Sequence, residues 1–174
     1  MDSFDFSSKK VLVTGASRGI GLGIARGFAR ARADLFIIGT NDKVHETANS
    51  LTKESGNPVE GLVCDITDRH AVSKTVSQLG QIDVLINNAG YERLTPILES
   101  GSEVEDIFRR IIDVNILGTY YVTREAVSRM VSGSRIVITA SVWGKTGMAG
   151  FTAYCASKHA NIGFMRALAD VRVL

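Results

Sequence analysis

The segment that most constrains the fold of this chain is a short apolar run followed by a glycine-rich loop and a helical pattern. Residues 11–14 are typical of a buried strand, the loop at residues 15–21 has the spacing G-x-x-x-G-x-G, and helical periodicity begins at Leu22. In such a strand–loop–helix unit the glycines let the backbone approach a phosphate, and free N–H groups at the helix start face the anion. The unit therefore predicts a dinucleotide site, with a glycine-rich tight turn as the alternative.

The same alternation of strand and helix continues along the rest of the chain. Four further strands are predicted, at residues 35–39, 59–64, 82–86 and 135–139. Helices are predicted at residues 22–32, 42–54, 69–79, 104–131 and 154–169, with Asp42 and Asp68 near the starts of the second and third. Short connections between such elements are typical of a doubly wound parallel sheet, which binds ligands at the carboxyl ends of its strands. The predicted fold class is therefore α/β, a single Rossmann-type domain over residues 1–174 with three layers (α/β/α).

The residues after the second strand bear on which dinucleotide is bound. NAD-binding sites place an acidic residue about 20 residues after the glycine loop, where it holds the ribose hydroxyls. This chain has Thr40 at that position, Asp42 comes two residues later, and Arg18 lies within the loop itself. A missing carboxylate and an added guanidinium suit a ribose 2′-phosphate. The sequence therefore favours NADP(H) over NAD(H), the alternative being that Arg18 only faces solvent.

Polar and small residues also follow the third and fourth strands. Asp65 ends the third strand, where its carboxylate can accept from an adenine amino group or, equally, from turn amides. The fourth strand is followed by residues 87–90, Asn-Asn-Ala-Gly. Side-chain amides at such a strand end can join neighbouring strands, and the small Ala89 and Gly90 leave space for a flat ring.

The predicted helix over residues 104–131 is apolar almost all the way round. A helix of this kind is buried on more than one side. We therefore expect one side to cover the sheet and another, together with residues 154–169, to contact a second copy of the chain. Asn115 lies within this apolar helix, where an amide is costly unless it is bonded. It is either a satisfied structural amide or part of a site.

A tyrosine and a lysine lie four residues apart near the end of the chain, at Tyr154 and Lys158. On a helix this spacing places both on one face. A nearby ammonium favours the phenolate and lowers the pKa of a tyrosine from its usual value of about 10. Such a phenol can exchange a proton with a substrate near neutral pH. Because the pair often arises by chance, an aromatic anchor beside a solvated lysine is the alternative.

Composition argues against several other functions. The 174 residues have a net charge of +2 without a Lys/Arg-rich run, which argues against nucleic-acid binding. The two cysteines and three histidines lack the spacing of a disulfide framework or a metal site. No segment reaches the apolar length of a membrane span, and the N-terminal residues do not resemble a secretory signal. We therefore expect a cytoplasmic protein with a small-molecule substrate and without metal, nucleic-acid or membrane partners.

Together these motifs resemble those of the short-chain dehydrogenase/reductase family. They occur in the order Thr14-Gly15-x-x-x-Gly19-Ile20-Gly21, Asn87-Asn88-Ala89-Gly90, Asn115, Ser141 and Tyr154-x-x-x-Lys158. The resemblance covers about residues 9–169 and is strongest to the 3-oxoacyl-(acyl-carrier-protein) reductase-type branch. It implies a homo-oligomeric oxidoreductase, a dimer or a tetramer, that interconverts a carbonyl and a secondary alcohol. The implied cofactor is NADP(H), which carries the hydride, with NAD(H) as second choice.

The resemblance also implies a role for each site residue. Tyr154 would be the general acid of reduction, or the base of oxidation, and Lys158 would lower its pKa and hold the nicotinamide ribose. Ser141 would hydrogen-bond the substrate oxygen, and Asn115 would hold a relay water at a local irregularity of its helix. The remaining cofactor contacts would come from Gly15, Ser17, Arg18, Gly19, Ile20, Thr40, Asp65, Ile66, Asn88, Ala89 and Gly90.

The chain departs from the family pattern at its C-terminal end. After Ala169 it reads Asp-Val-Arg-Val-Leu, where the family continues with a sixth strand, a Pro-Gly turn and a substrate-covering segment. We therefore expect the C-terminal strands to be missing, with residues 171–174 forming the start of a sixth strand or a frayed helix end. The alternative function is a truncated, non-catalytic protein that binds nucleotide weakly or acts only through its interface helices.

Overall fold

The computed structural model describes residues 4–99 and 101–169. In this part of the chain a five-stranded sheet is flanked by helices. The strands are β1 (Lys10–Thr14), β2 (Asp34–Gly39), β3 (Val59–Val63), β4 (Val84–Asn87) and β5 (Arg135–Ile138). The helices are α1 (Gly19–Arg30), α2 (Lys43–Ser55), α3 (Arg69–Ser77), α4 (Ser102–Ile112), α5 (Thr119–Val127) and α6 (Thr152–Ala169), with a π-helical segment (Asp113–Gly118) between α4 and α5.

The sheet has the order β3-β2-β1-β4-β5, and every neighbouring pair is parallel. From β1 the chain moves outward to β2 and β3 and then returns to the other side of β1 at β4. The order therefore reverses between β1 and β4, which is where doubly wound sheets bind their ligands. The predicted fold class, a Rossmann-type doubly wound parallel sheet, is confirmed.

The central strand β1 supplies side chains to both faces of the sheet. Val11 and Val13 pack with small residues of α1 and α2, whereas Leu12 packs with residues of α3 and α5. Successive side chains of a strand point to opposite faces. A strand covered on both sides therefore needs the continuous apolar run that this sequence has. Helices on both faces form the three layers that the sequence predicted.

The prediction of one continuous helix over residues 104–131 was wrong in two respects. The π-helical segment Asp113–Gly118 interrupts it, and the α-helix that follows ends at Val127. The last residue of the π-helical segment is closely packed, since a Cβ at Gly118 would lie 2.7 Å from the Ile66 side chain. The expected irregularity at Asn115 is confirmed, because this residue lies inside the π-helical segment. Such segments occur frequently at functional sites.

The two predicted aspartate caps differ in outcome. Asp68 Oδ1 accepts hydrogen bonds from the N–H groups of His70 and Ala71, at 2.8 and 3.1 Å, so it caps α3 as predicted. Asp42 lies at the start of α2, but its side chain makes no capping bond within the described chain. Asn41 Oδ1 instead accepts from the N–H of Lys43 at 3.2 Å.

Two further expectations concern the C-terminal residues and membrane-spanning helices. Residues 171–174, predicted as the start of a strand or a frayed helix end, lie outside the described residues. Of the helices that the structure describes, none combines the length and the hydropathy needed to cross a membrane.

Candidate functional site

A cleft of about 450 Å³ opens where β1 and β4 end, at the switch point of the sheet. Most of the predicted cofactor residues line it: Gly15, Ser17, Arg18, Gly19, Thr40, Asp65, Ile66, Asn88, Ala89 and Gly90. Tyr154, Lys158 and Ile20 do not line this cleft, and Ile20 is 69% exposed at the start of α1. Sequence reasoning missed further lining residues: Ile38, Gly39, Cys64, Tyr91, Arg110 and Val114.

The glycine loop closes tightly against the segment that follows β4. Gly15 has a φ of +65°, in the left-handed region that favours glycine. A Cβ at this position would also lie 2.7 Å from Cα of Ala89. At Gly21 a Cβ would clash with the carbonyl oxygen of Gly15 and with the Asn88 amide. Both glycines are therefore needed to let these two segments form the floor of the cleft.

Asn88 joins the ends of three strands, as the sequence predicted for a strand-end amide. Its Nδ2 donates to the carbonyl oxygens of Thr14 and Gly15, each at 3.2 Å. Its Oδ1 accepts from Thr139 Oγ1 at 3.4 Å, just after β5. Asn87 has a different contact, because its Nδ2 donates to Thr123 Oγ1 of α5 at 2.8 Å. Asn88 therefore fixes the geometry of the cleft, while Asn87 attaches β4 to a covering helix.

Asp65 and Arg110 form an ion pair on the wall of the cleft. Asp65 Oδ1 accepts from the N–H and Oγ1 of Thr67 at 3.0 and 2.8 Å, and Arg110 Nη2 donates to Asp65 Oδ2 at 3.1 Å. Burial raises the pKa of Asp65, but the bonds from Thr67 and Arg110 outweigh it, so the pKa is lowered overall. Of the two roles left open for Asp65, bonding to a turn amide is confirmed, and contact with adenine stays a prediction.

Sequence reasoning missed Arg110 because this residue lies on α4, 45 residues after its partner Asp65. Together with Arg18 it gives the cleft two guanidinium groups. The carboxylate of Asp65, the only acid among the lining residues of this cleft, is already paired with one of them. The described cleft therefore has an excess of positive charge among its lining residues, which suits a ligand that carries phosphates.

Lys158 and Tyr154 lie together on α6, as their spacing predicted. The Lys158 Nζ is 5.4 Å from the centroid of the Tyr154 ring. It donates a 2.8 Å hydrogen bond to the carbonyl oxygen of Thr139, and the residue is only 3% exposed. Ser141 begins a short 3₁₀ turn (Val142–Gly144), and its Oγ accepts from the N–H of Trp143 at 3.2 Å. The end of β5 and the start of α6 thus bring three of the four predicted catalytic side chains, Ser141, Tyr154 and Lys158, to one place.

The prediction that Lys158 lowers the pKa of Tyr154 was wrong. Burial raises the pKa of Tyr154 above its usual value, the Ser141 hydroxyl offsets part of this effect, and the charge of Glu92 adds to it. Burial also lowers the pKa of Lys158, against a smaller opposing effect of Glu92. The physical reason is that the ammonium is bonded to Thr139 rather than to the phenol, whose own loss of hydration then dominates.

Asn115 is fully bonded inside the protein. Its Oδ1 accepts from the N–H of Tyr91 at 2.7 Å, and its Nδ2 donates to the Tyr91 carbonyl at 3.0 Å and to Ser157 Oγ at 2.9 Å. A Cβ at Gly90 would lie 3.5 Å from Asn115 Oδ1 and 3.6 Å from Lys158 Nζ, so both atoms lie beside the same stretch of backbone. The interpretation of Asn115 as a structural amide with satisfied hydrogen bonds is confirmed, and its role in a water relay stays a prediction.

The described residues, 4–99 and 101–169, contain no group of three or more His, Cys, Asp or Glu side chains that could hold a metal ion. Cys64 is buried in the wall of the cleft, and Cys155 is half-buried beside Tyr154. Both are free thiols. Burial raises the pKa of the Cys64 thiol, which keeps it in its less reactive protonated form.

A parallel sheet of this order, with a glycine loop and a cleft at its switch point, defines the Rossmann class of dinucleotide-binding folds. The family model described as short chain dehydrogenase matches residues 9–171. The chain belongs to the short chain dehydrogenase family, and the resemblance inferred from its motifs is confirmed.

Individual relatives agree with this assignment. Oxidoreductase UcpA of Salmonella typhimurium is 37% identical over 170 residues, which are 94% of this chain and 63% of that protein. The 3-oxoacyl-[acyl-carrier-protein] reductase FabG of Rickettsia bellii is 32% identical over 95% of this chain and 67% of its own length. The crystal structure of BdcA in complex with NADPH has a TM-score of 0.83 and 36% identity, over 94% of this chain and 65% of that one. The chain thus spans 63–67% of the length of these relatives.

Proposed function

We propose that this chain acts in an NADP(H)-dependent oxidoreductase that interconverts a carbonyl and a secondary alcohol, in the manner of a 3-oxoacyl-(acyl-carrier-protein) reductase. The observation that supports this most is that the cleft at the switch point lies beside the cluster of Ser141, Tyr154 and Lys158. The FabG relative is named for that reaction, and the BdcA structure contains NADPH.

The residues of the cleft fit the two halves of such a cofactor. The N–H groups of the loop between β1 and α1 would bind the pyrophosphate, since a helix start favours an anion. Arg18 and Thr40 would bind the ribose 2′-phosphate, and Asp65 with Ile66 would flank the adenine. Residues 88–90 would contact the nicotinamide half. The close approach of Gly15 to Ala89 supports this fit, because it brings the loop and residues 88–90 next to each other.

Tyr154 and Ser141 would supply the proton and the second hydrogen bond to the substrate. When bound, NADPH supplies a hydride to the carbonyl carbon. Tyr154 donates its proton to the carbonyl oxygen as negative charge develops there, and Ser141 donates a hydrogen bond to the same oxygen. Burial raises the pKa of Tyr154, and the phenol, like that of an ordinary tyrosine, carries a proton to donate at neutral pH. Lys158 would hold the nicotinamide ribose.

We also propose that the chain is cytoplasmic and that it forms a homo-oligomer through the helical layer from α4 to α5 and through α6. Phe108, Leu117 and Tyr120 are 38–40% exposed along this helical layer, and apolar surface of this kind favours a contact with a second copy. Sedimentation at micromolar concentration tests the assembly. A dimer or a tetramer is expected, and a monomer across the whole concentration range would contradict the proposal.

The function itself is tested by titration and by turnover. We expect the chain to bind NADPH more tightly than NADH and to oxidise it with at least one member of a panel of 3-oxoacyl thioesters, ketosteroids and keto sugars. Binding of NADPH without turnover of any substrate would favour the alternative of a non-catalytic nucleotide-binding protein. Absence of binding to either nucleotide would overturn the proposal altogether.

A further inference from the structure

Thr95 is a buried polar residue that joins two segments that are far apart in the chain. It lies between β4 and α4 and is 1% exposed. Its N–H donates to the carbonyl oxygen of Gly150 at 2.7 Å, and its own carbonyl accepts from Thr152 Oγ1 at 2.6 Å. Thr95 also forms an isolated parallel bridge with Phe151. The backbone of Thr95 is therefore attached to the residues that lead directly into α6.

The side chain of Thr95 is bonded to the first turn of α6. Its Oγ1 accepts from the N–H of Ala153 at 3.1 Å and lies 3.0 Å from Thr152 Oγ1. The first amides of a helix lack partners within the helix, and a side-chain oxygen just before the helix usually supplies one. Here the acceptor comes from 58 residues earlier in the chain. The hydroxyl thus caps α6 from a different part of the fold.

The capped amide belongs to the residue that precedes Tyr154. Ala153 is fully buried, so water cannot replace the Thr95 oxygen. The Tyr154 ring packs edge-on against Trp143, with 5.8 Å between the ring centroids, and Trp143 also packs on Phe151 at 4.7 Å. The orientation of this aromatic cluster therefore depends on how the first turn of α6 is held.

We propose that Thr95 is a positioning residue for Tyr154, which it serves by fixing the first turn of α6 through its hydroxyl. This inference rests on the proposed role of Tyr154 as the proton donor. Thr95 is not among the residues that line the cofactor cleft, so it acts on the chemical step and leaves cofactor binding alone. Small displacements of a reacting group slow a reaction strongly even when binding is intact.

The matched variants are Thr95→Val, which keeps the shape and removes the hydroxyl, and Thr95→Ser, which keeps the hydroxyl. Thr146→Val is the control, because Thr146 is exposed and its Oγ1 bonds only to the Val142 carbonyl of its own loop, at 3.2 Å. We expect Thr95→Val to lower kcat about tenfold or more with the Kd of NADPH within about twofold. Thr95→Ser and Thr146→Val should retain wild-type kcat and Kd.

Trp143 gives a readout that does not require turnover, because it is the chain's only tryptophan. Local opening at the start of α6 exposes the ring, so Thr95→Val should raise quenching of its fluorescence by acrylamide about twofold. In the wild-type chain, the Ala153 amide should exchange with solvent as slowly as amides in the middle of α6. This exchange measurement shows whether the first turn of α6 is held in the wild-type chain, even if Thr95→Val does not fold.

The proposal is overturned by any of three results. These are wild-type kcat or wild-type quenching in Thr95→Val, an effect of Thr95→Ser as large as that of Thr95→Val, or rapid exchange of the Ala153 amide in the wild-type chain. A wild-type chain that turns over no substrate would contradict the proposed function instead. The quenching and exchange results would still show whether Thr95 holds the residue to which Tyr154 is attached.

Discussion

Lys158 donates a 2.8 Å hydrogen bond to the carbonyl oxygen of Thr139, at the end of the sheet. The ammonium is thereby held at a strand end while its residue is only 3% exposed. Loss of hydration outweighs the attraction of the Glu92 charge, so the pKa of Lys158 falls below its ordinary value of 10.5. A charged lysine kept in this position costs stability that the protein recovers when the lysine loses its proton.

The first prediction is that Lys158 makes the protein more stable as the pH rises toward 10.5. In the window between the lowered folded pKa and 10.5, the unfolded chain binds more protons than the folded one, so the free energy of unfolding increases with pH. Tyr154 contributes a pH dependence of the opposite sign. Its raised pKa makes the folded state bind more protons above pH 10.0, so the free energy of unfolding decreases there as the pH rises. Urea unfolding of wild type and Lys158→Met at several pH values separates the two contributions.

The free energy of unfolding of wild type should rise steadily relative to that of Lys158→Met across this window. Lys145→Met is the matched control, since Lys145 is exposed and its replacement leaves the buried ammonium of Lys158 in place. A difference between wild type and Lys158→Met that stays constant with pH would show that the folded pKa is not lowered.

A second prediction contrasts two glycines that differ in what surrounds them. Gly15→Ala should destabilise the protein and weaken NADPH binding, because φ is +65° and the new Cβ would lie 2.7 Å from Cα of Ala89. Gly27→Ala should stabilise the protein by about 0.5–1 kcal/mol, since alanine favours a helix and its Cβ meets nothing within 4 Å. Thermal unfolding with and without NADPH measures both effects. Equal effects of the two substitutions would contradict the tight closure of the loop.

A third prediction concerns Asn115. Asn115→Leu leaves the N–H and carbonyl of Tyr91 and the Ser157 hydroxyl without their partner, which should cost about 3 kcal/mol of unfolding free energy. Asn41→Ala removes an exposed amide that makes one bond to the N–H of Lys43 at the start of α2, and it should cost about 1 kcal/mol or less. Chemical denaturation gives both values. A loss for Asn115→Leu as small as for Asn41→Ala would mean that these bonds do not stabilise the fold.

A fourth prediction tests the preference for NADP(H). Arg18→Ala should weaken NADPH binding about tenfold and leave NADH binding almost unchanged, since a hydrogen bond between charged groups is worth about 1.5–3 kcal/mol. Arg109→Ala is the control, because Arg109 is exposed and pairs with Glu105 on its own helix. Titration calorimetry gives the ratio of the NADPH and NADH dissociation constants for each variant. An equal loss for NADH would assign Arg18 to the shared part of the cofactor.

The sequence predicted those parts of the site that depend on local pattern. The strand, glycine loop and helix from Lys10 to Arg30 follow from an apolar run and glycine spacing within one unit, and Asn88 follows from its place at a strand end. Arg110 and Thr95 were missed because their partners are 45 and 58 residues away in the chain. Their positions depend on how helices pack on the sheet, which no local pattern specifies.

The pKa of Tyr154 was predicted with the wrong sign for a related reason. The four-residue spacing correctly placed Lys158 on the same face of α6, but it could not show that the ammonium bonds to Thr139. Nor could it show how much of the phenol is buried. Both depend on the end of β5 and the turn after Ser141, which lie next to α6 only in the folded chain.

The most direct test of the central claim compares NADPH binding and carbonyl reduction in wild type and Tyr154→Phe. The substitution removes one hydroxyl and keeps the ring that packs on Trp143. The account predicts that Tyr154→Phe binds NADPH with nearly the wild-type Kd and reduces the best substrate of the panel at least about a hundredfold more slowly, in line with loss of a general acid. Reduction by Tyr154→Phe at a rate close to wild type would contradict it, because another group would then donate the proton.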